Sequence, residues 1–159
     1  MLIKPEISKE AILRVLRAFG LRKDHFSFLP SGDPNSTVYP VSADGVRYLL
    51  KLRCGDFQEI AATIPTLLRS KGLLQVMSPI RGTAGRLWIH ANGFDWMLYP
   101  WFEGKTGFLC PLSEPRWTEL GATMRQVHTV AVPTKQAARV ARESYSASYR
   151  ETVRGLDAQ

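Results

Sequence analysis

The chain has 159 residues and a formal net charge of +7, with 45% hydrophobic and 22% charged residues. This length allows one domain with a hydrophobic core, and the composition is that of an ordinary globular protein. No segment approaches the roughly 18 uncharged apolar residues of a membrane span, and the N-terminal residues lack the apolar core of a secretory signal. We therefore expect a cytoplasmic protein in which Cys54 and Cys110 stay free thiols.

The first predicted element is a helix over residues 9–19, where apolar residues recur at helical spacing. Ser8 before it is a good N-cap, and Gly20 after it is a natural stop. A meander of three antiparallel strands is then predicted, because apolar and polar residues alternate between turn formers. Its strands contain, in order, Phe26 and Phe28, the segment TVYPVS, and residues 46–52, the last two joined by an Asp-Gly turn at residues 43–45.

The third of these strands carries a lysine, Lys51, in the middle of an apolar run. A helix is predicted next over residues 56–71, with Glu59 near its start and Pro65 inside it, where proline should kink or interrupt the helix. A lysine on a sheet face is costly unless an anion pairs with it. We expect Lys51 and Glu59 to lie within ion-pair distance or to face the same cleft. An ordinary lysine at a strand edge is the alternative.

Further strand patterns lie in LLQVMSPIRG and in the segment that follows, which reads as a hairpin. Its first arm begins at Gly85, its turn is Ala91-Asn92-Gly93, and its second arm is FDWMLYPWF. The last clear helix spans residues 114–129, with Ser113 as its N-cap. One apolar stripe runs along this helix, and few large apolar residues follow it in residues 134–159. The stripe consists of Trp117, Leu120, Met124 and Val127. It predicts a homodimer through this helix or a tail folded back over it.

Four segments, in this order, together resemble the aminoglycoside phosphotransferase family: YLLKLRCGDFQEI, LLRSKGL with a later PI, MLYPWFEGKTGF, and LSEPRWTELGATMRQVHTVAVP. The resemblance covers almost the whole chain. It implies an α+β fold, namely a protein-kinase-like N-lobe, with a five-stranded antiparallel sheet and an inserted helix, plus the first helix of the C-lobe. The domains would be the N-lobe at 1–103, a hinge or linker at 104–112, and the start of a truncated helical C-lobe at 113–159.

The resemblance also implies the site. Lys51 would bind the phosphates of ATP and Glu59 would pair with it. Residues 31–37 would form the loop over the phosphates, although such a loop is more often a plain hairpin. The predicted nucleotide-binding residues in and near this loop are Ser31, Gly32, Asn35 and Ser36. Tyr99, Pro100, Trp101 and Phe102 would form the hinge beside the adenine, although any single aromatic residue among them is more simply part of the core.

A phosphotransferase also needs a catalytic aspartate and an acidic group that holds Mg²⁺. The family places them in an H-x-D-x-x-x-x-N loop and a later Asp motif, and none of His25, His90 and His128 begins an H-x-D sequence. We therefore predict no catalytic and no metal-binding residue here, with ATP as cofactor and Mg²⁺ only if the missing C-lobe is supplied. His128 is more simply a structural residue than a general base.

The function implied is the nucleotide-binding part of an ATP-dependent antibiotic kinase of the aminoglycoside or spectinomycin type. We expect the chain alone to transfer phosphate poorly or not at all. It could be a fragment, the product of a frameshifted gene, or a complete protein. The alternatives are a non-catalytic nucleotide-binding or dimerisation module derived from that fold, and a basic protein that binds nucleic acid weakly. The last is poorly supported, because the lysines and arginines form no dense run.

Overall fold

The computed structural model describes residues 7–22, 25–27, 36–104 and 109–141, together with residues 151 and 154. The strands are β1 (His25–Phe26), β2 (Ser36–Ala43), β3 (Val46–Arg53), β4 (Ile89–Ala91) and β5 (Phe94–Pro100). They form one antiparallel sheet in the order β1-β2-β3-β5-β4, to which β1 contributes two residues. The helices are α1 (Lys9–Ala18), α2 (Ile60–Ser70), α3 (Glu114–Thr129) and α4 (Thr134–Ala137). Within these described ranges, no helix is both long and apolar enough to cross a membrane.

The two hairpins of the sheet turn where the sequence predicts. Asp44 and Gly45 join β2 to β3 with φ values of 51° and 78°, and Asn92 and Gly93 join β4 to β5 with 57° and 74°. Tight hairpins of antiparallel strands need positive φ at such positions, which Gly, Asn and Asp adopt most easily. The two hairpins meet where β3 pairs with β5.

Helix α1 covers one face of the sheet and encloses the main hydrophobic core. Its apolar stripe packs against the buried side chains of the three central strands. The buried residues of this core are Ile12, Val15, Leu16, Phe19, Tyr39, Val41, Leu50, Leu52, Trp96 and Leu98. Leu50 and Trp96 are fully buried, so the alternate residues of β3 and β5 must face the other side of the sheet.

The hydroxyl of Ser8 caps α1 by accepting a hydrogen bond from the backbone N–H of Ala11 at 3.2 Å. We expect Ser8→Ala to lower the free energy of unfolding by about 1 kcal/mol, measured by urea denaturation. Ser113→Ala is the matched control, because Ser113 precedes α3 but its side chain makes no capping hydrogen bond. Equal losses in the two variants would show that the Ser8 cap does not stabilise α1.

Helix α2 begins later than predicted and continues through its proline. Gly55 has a φ of +82°, and the chain first turns helical at Ile60 instead of residue 56. Of the two effects expected of Pro65, a kink or an interruption, the interruption does not occur, because α2 extends without a break to Ser70. Proline removes one backbone hydrogen bond, and the buried Ala62 and Leu68 hold the helix in place by packing.

Two other strand predictions also need correction. The segment LLQVMSPIRG forms no strand, and its sheet contact is a single bridge between Ile80 and Leu98. Strand β4 starts at Ile89 and not at Gly85, because residues 81–87 form a turn in which the N–H of Gly82 bonds the carbonyl of Arg86 at 2.8 Å. Apolar alternation indicates a strand but does not supply the partner strand that a strand needs.

Helix α3 matches its predicted bounds, and none of its residues is buried. The side chains of the predicted stripe lie open: Trp117 is 57% exposed, Leu120 42% and Met124 49%, while Val127 is half-buried. An apolar row of this kind is a candidate contact surface.

Candidate functional site

The face of the sheet opposite α1 carries Lys51. Along β3, Leu50 and Leu52 point into the core, so Leu49, Lys51 and Arg53 lie on the other face, where all three are half-buried. On the two neighbouring strands, Val38 and Met97 lie directly opposite Lys51. The lysine ammonium is therefore carried above a row of apolar side chains.

The adjacent row of the same face is apolar as well. Leu49 lies between Pro40 of β2 and Tyr99 of β5. We call Val38, Pro40, Leu49, Lys51 and Tyr99 the open sheet face, because each is half-buried and α1 packs on the opposite side. A half-exposed apolar surface that carries a lysine suits a ligand with a flat apolar body and a negative charge.

The predicted ion pair between Lys51 and Glu59 is not formed. Glu59 lies directly before α2, and its Oε2 is 2.8 Å from Nη1 of Arg139, which follows α4. Among the described residues, no carboxylate pairs with Lys51. Because the paired Glu59 and Arg139 side chains are 46% and 54% exposed, the interaction is worth at most about 1 kcal/mol.

Tyr99 marks the end of the apolar surface on β5. Its hydroxyl donates to the sulfur of Met97 at 3.3 Å. Burial raises the pKa of the Tyr99 hydroxyl, and the positive charge of Arg53 offsets part of that rise. Tyr99 is therefore a neutral phenol near pH 7, and its ring adds apolar surface beside Leu49.

The predicted hinge residue Trp101 is fixed by two residues that the sequence did not single out. Glu103 Oε1 accepts from the indole Nε1 of Trp101 at 2.7 Å and from Nη1 of Arg47 at 2.6 Å. The Arg47 guanidinium also lies over the indole, 3.7 Å from the ring centroid. One face of the indole is thereby covered, so a ligand at the hinge would meet the other face or the backbone.

The remaining predicted residues are placed as follows. Ser31, Gly32 and Asn35 lie outside the described residues. Ser36 is the first residue of β2, is buried, and pairs in register with Arg53. Phe102 follows the strand and is 47% exposed. The structure thus brings Lys51, Tyr99 and Pro100 to neighbouring positions of two paired strands, while Glu59 is turned towards Arg139.

Comparisons with known proteins show which solved structures share this fold. No known family profile and no curated protein sequence matches the chain. Solved structures similar to it include spectinomycin phosphotransferase APH(9)-Ia in complex with ADP and spectinomycin, at 27% identity and a TM-score of 0.82. They also include the AMP-bound complex of that enzyme, at 25% identity and a TM-score of 0.77.

In both comparisons the match covers 96% of this chain and 47% of the phosphotransferase. The chain therefore spans about half the length of this structural relative. The predicted resemblance to the N-terminal part of spectinomycin phosphotransferase is confirmed, and with it the kinase-like aminoglycoside phosphotransferase fold of this part.

Proposed function

We propose that this chain binds ATP on the open sheet face and acts as the nucleotide-binding, N-terminal part of a kinase-like antibiotic phosphotransferase. One observation carries the proposal: Lys51 has no carboxylate partner among the described residues and stands on a half-exposed apolar face next to the hinge strand β5. An adenine ring needs apolar surface and its phosphates need cations, and this face offers both. The similar phosphotransferase was crystallised with ADP and with AMP, which supports the same ligand class here.

The backbone of β5 supplies an edge for the adenine base. The N–H of Trp101 bonds the Arg47 carbonyl on β3 at 3.2 Å, so the carbonyl of the preceding Pro100 points to the opposite edge. On that edge the Leu98 carbonyl already accepts from the N–H of Ile80 at 2.7 Å. Strand β4 pairs only as far as Trp96, which leaves the Pro100 carbonyl as an acceptor for the adenine amino group.

The phosphates would then lie over Lys51, with residues 31–37 as the covering loop. Glu59 would support Lys51 by exchanging partners. It leaves Arg139, to which it is bound by an exposed and therefore weak ion pair, and turns to the lysine when the nucleotide is bound. Arg139 thus competes with Lys51 for the same carboxylate in this proposal.

The rest of the phosphotransferase assignment follows the similarity in fold. Residues 1–103 would be the N-lobe, 104–112 the linker and 113–159 the start of the C-lobe. The acceptor would be a hydroxyl of a small cationic antibiotic of the aminoglycoside or spectinomycin type. Phosphoryl transfer depends on positioning and on charge neutralisation by an aspartate and Mg²⁺. The sequence contains no H-x-D loop that would supply this aspartate, so we assign the chain nucleotide binding and no catalytic step.

A second candidate function, a dimerisation module derived from the same fold, is favoured by α3. None of its residues is buried, although three large apolar side chains lie along one side. Nucleotide binding and self-association are compatible, because the open sheet face and α3 share no residue.

Nucleotide binding can be tested by titrating the chain with ATP and following backbone amide signals by NMR. We expect saturable binding, with the largest changes at Val38, Lys51 and Trp101 and none along α1, which covers the opposite face. Adenosine should shift the hinge signals but not those next to Lys51. An absence of saturable binding, or changes confined to α1, would contradict the proposed function.

A further inference from the structure

A second pocket lies beside β4 and shares no lining residue with the open sheet face. It has a volume of about 490 Å³ and lies between Thr63 of α2 and the segment that leads into β4. Strand β4 is the last strand of the sheet, so this side is not covered by a further strand of the described chain. The proposed nucleotide site uses none of the pocket's residues.

The pocket is cationic. Arg81, Arg86 and His90 line it, and none of its lining residues is acidic. The carboxylate of Asp95 is 3.0 Å from Nδ1 of His90, and Asp95 does not line the pocket. The two guanidinium groups are therefore available to an anion from solvent.

The loop that carries the two arginines is held by internal hydrogen bonds. Nη1 of Arg81 donates to the Gly85 carbonyl at 2.8 Å, and the N–H of Gly82 donates to the Arg86 carbonyl at 2.8 Å. Arg81 keeps four of the five donors of a guanidinium for a ligand. Two arginines that line one pocket can bind a phosphate with several charge-assisted hydrogen bonds.

The wall of the pocket is apolar and fixed. Leu87 is 6% exposed, and Trp88 packs against Phe57 with ring centroids 5.3 Å apart. Both Leu87 and Trp88 line the pocket and belong to the small core around Ala62 of α2. A flat apolar group would find a rigid aromatic surface next to the arginines.

We propose that this pocket is a second ligand site, separate from the nucleotide site, which takes a small aryl phosphate. The phosphate bridges Arg81 and Arg86, and the ring of the ligand lies against Trp88 and Leu87. Both halves of the ligand contribute, because cations and an aromatic wall line the same cavity.

Calorimetric titration with phenyl phosphate tests this site, with inorganic phosphate and phenol as probes of its two halves. We expect saturable one-to-one binding of phenyl phosphate. Inorganic phosphate and phenol should each bind at least roughly tenfold more weakly than phenyl phosphate. Arg86→Gln, at an exposed position, and Arg81→Gln should each weaken phenyl phosphate binding by roughly tenfold or more. Arg14→Gln, which changes an exposed arginine on α1, should leave it unchanged.

Three results would overturn the proposal. They are an absence of saturable phenyl phosphate binding, equal affinity for inorganic phosphate and phenyl phosphate, and unchanged affinity in both Arg81→Gln and Arg86→Gln. Loss of binding in Lys51→Ala would place the ligand on the open sheet face instead. Within the described part of the chain, the Arg86 side chain makes no hydrogen bond to the loop, so Arg86→Gln should leave the loop intact. Circular dichroism would verify that both variants fold.

Discussion

Replacing Lys51 with alanine should weaken ATP binding by roughly ten- to a hundredfold and leave adenosine binding nearly unchanged. Lys51 lies between Val38 and Met97 on the neighbouring strands. A bound phosphate would be the anionic partner of its ammonium group. A hydrogen bond between two charged groups is among the strongest polar contacts in a protein, and adenosine has no phosphate that could form it. Calorimetric titration of both ligands into wild type and variant measures the difference.

The matched control for this experiment is Lys71→Ala. Lys71 is an exposed lysine at the C-terminal end of α2, so its removal changes the net charge equally without touching the sheet. Its ATP affinity should fall only slightly, through the loss of long-range attraction, and that loss should shrink as salt is added. Equal weakening of ATP and adenosine by Lys51→Ala would mean that the lysine supports the fold, and unchanged ATP binding would remove Lys51 from the site.

The orientation of Lys51 was predictable because a strand has a period of two residues. Once Leu50 and Leu52 are assigned to the core, Lys51 must face the other side. The hairpin turns were predictable for a similar reason, since few residues tolerate the positive φ found at Asp44 and Gly45. Features that depend on local backbone geometry can be predicted from a few neighbouring residues.

The partner of Glu59 could not be predicted in this way. Arg139 is 80 positions further along the chain, and no periodicity links it to the start of α2. The sequence indicates Lys51 as the partner, because it is near in sequence and because the resemblance places a lysine and a glutamate there. Both Glu59 and Arg139 are about half exposed, so the choice of partner depends on a small free-energy difference.

The sequence predicted which segment forms the hinge, but not the side-chain contacts that hold Trp101 in place. Trp101 was identified by its place after β5, whereas Arg47 and Glu103 were not considered. Arg47 occupies the same side of β3 as Lys51, four positions earlier, which was a usable signal that it faces the hinge. Glu103 carried no such signal, because its residue type alone does not indicate that one oxygen would bind both neighbours.

The chain is expected to form a homodimer through the apolar stripe of α3, and Leu120→Glu/Met124→Glu should convert the dimer into a monomer. Full burial of one large apolar side chain contributes roughly 1.5–3 kcal/mol, so covering Trp117, Leu120 and Met124 together is worth on the order of several kcal/mol. Each 1.4 kcal/mol corresponds to about a tenfold change in affinity. Two buried carboxylates would oppose association further, because neither has a partner. Light scattering and sedimentation over a range of concentrations measure both forms.

Thr118→Glu/Ala122→Glu is the matched control, because it adds the same two charges at the same spacing on the far side of α3. Both residues lie within the helix, and Ala122 is exposed and half a turn from the stripe. This variant should stay dimeric, which separates the effect of the stripe from that of added charge. If wild type and Leu120→Glu/Met124→Glu are both monodisperse monomers with the same melting temperature, the stripe is neither an interface nor part of a core. If the variant stays monomeric like the wild type but melts at a lower temperature, the stripe is covered within one chain, and residues 134–159 are the segment that would cover it.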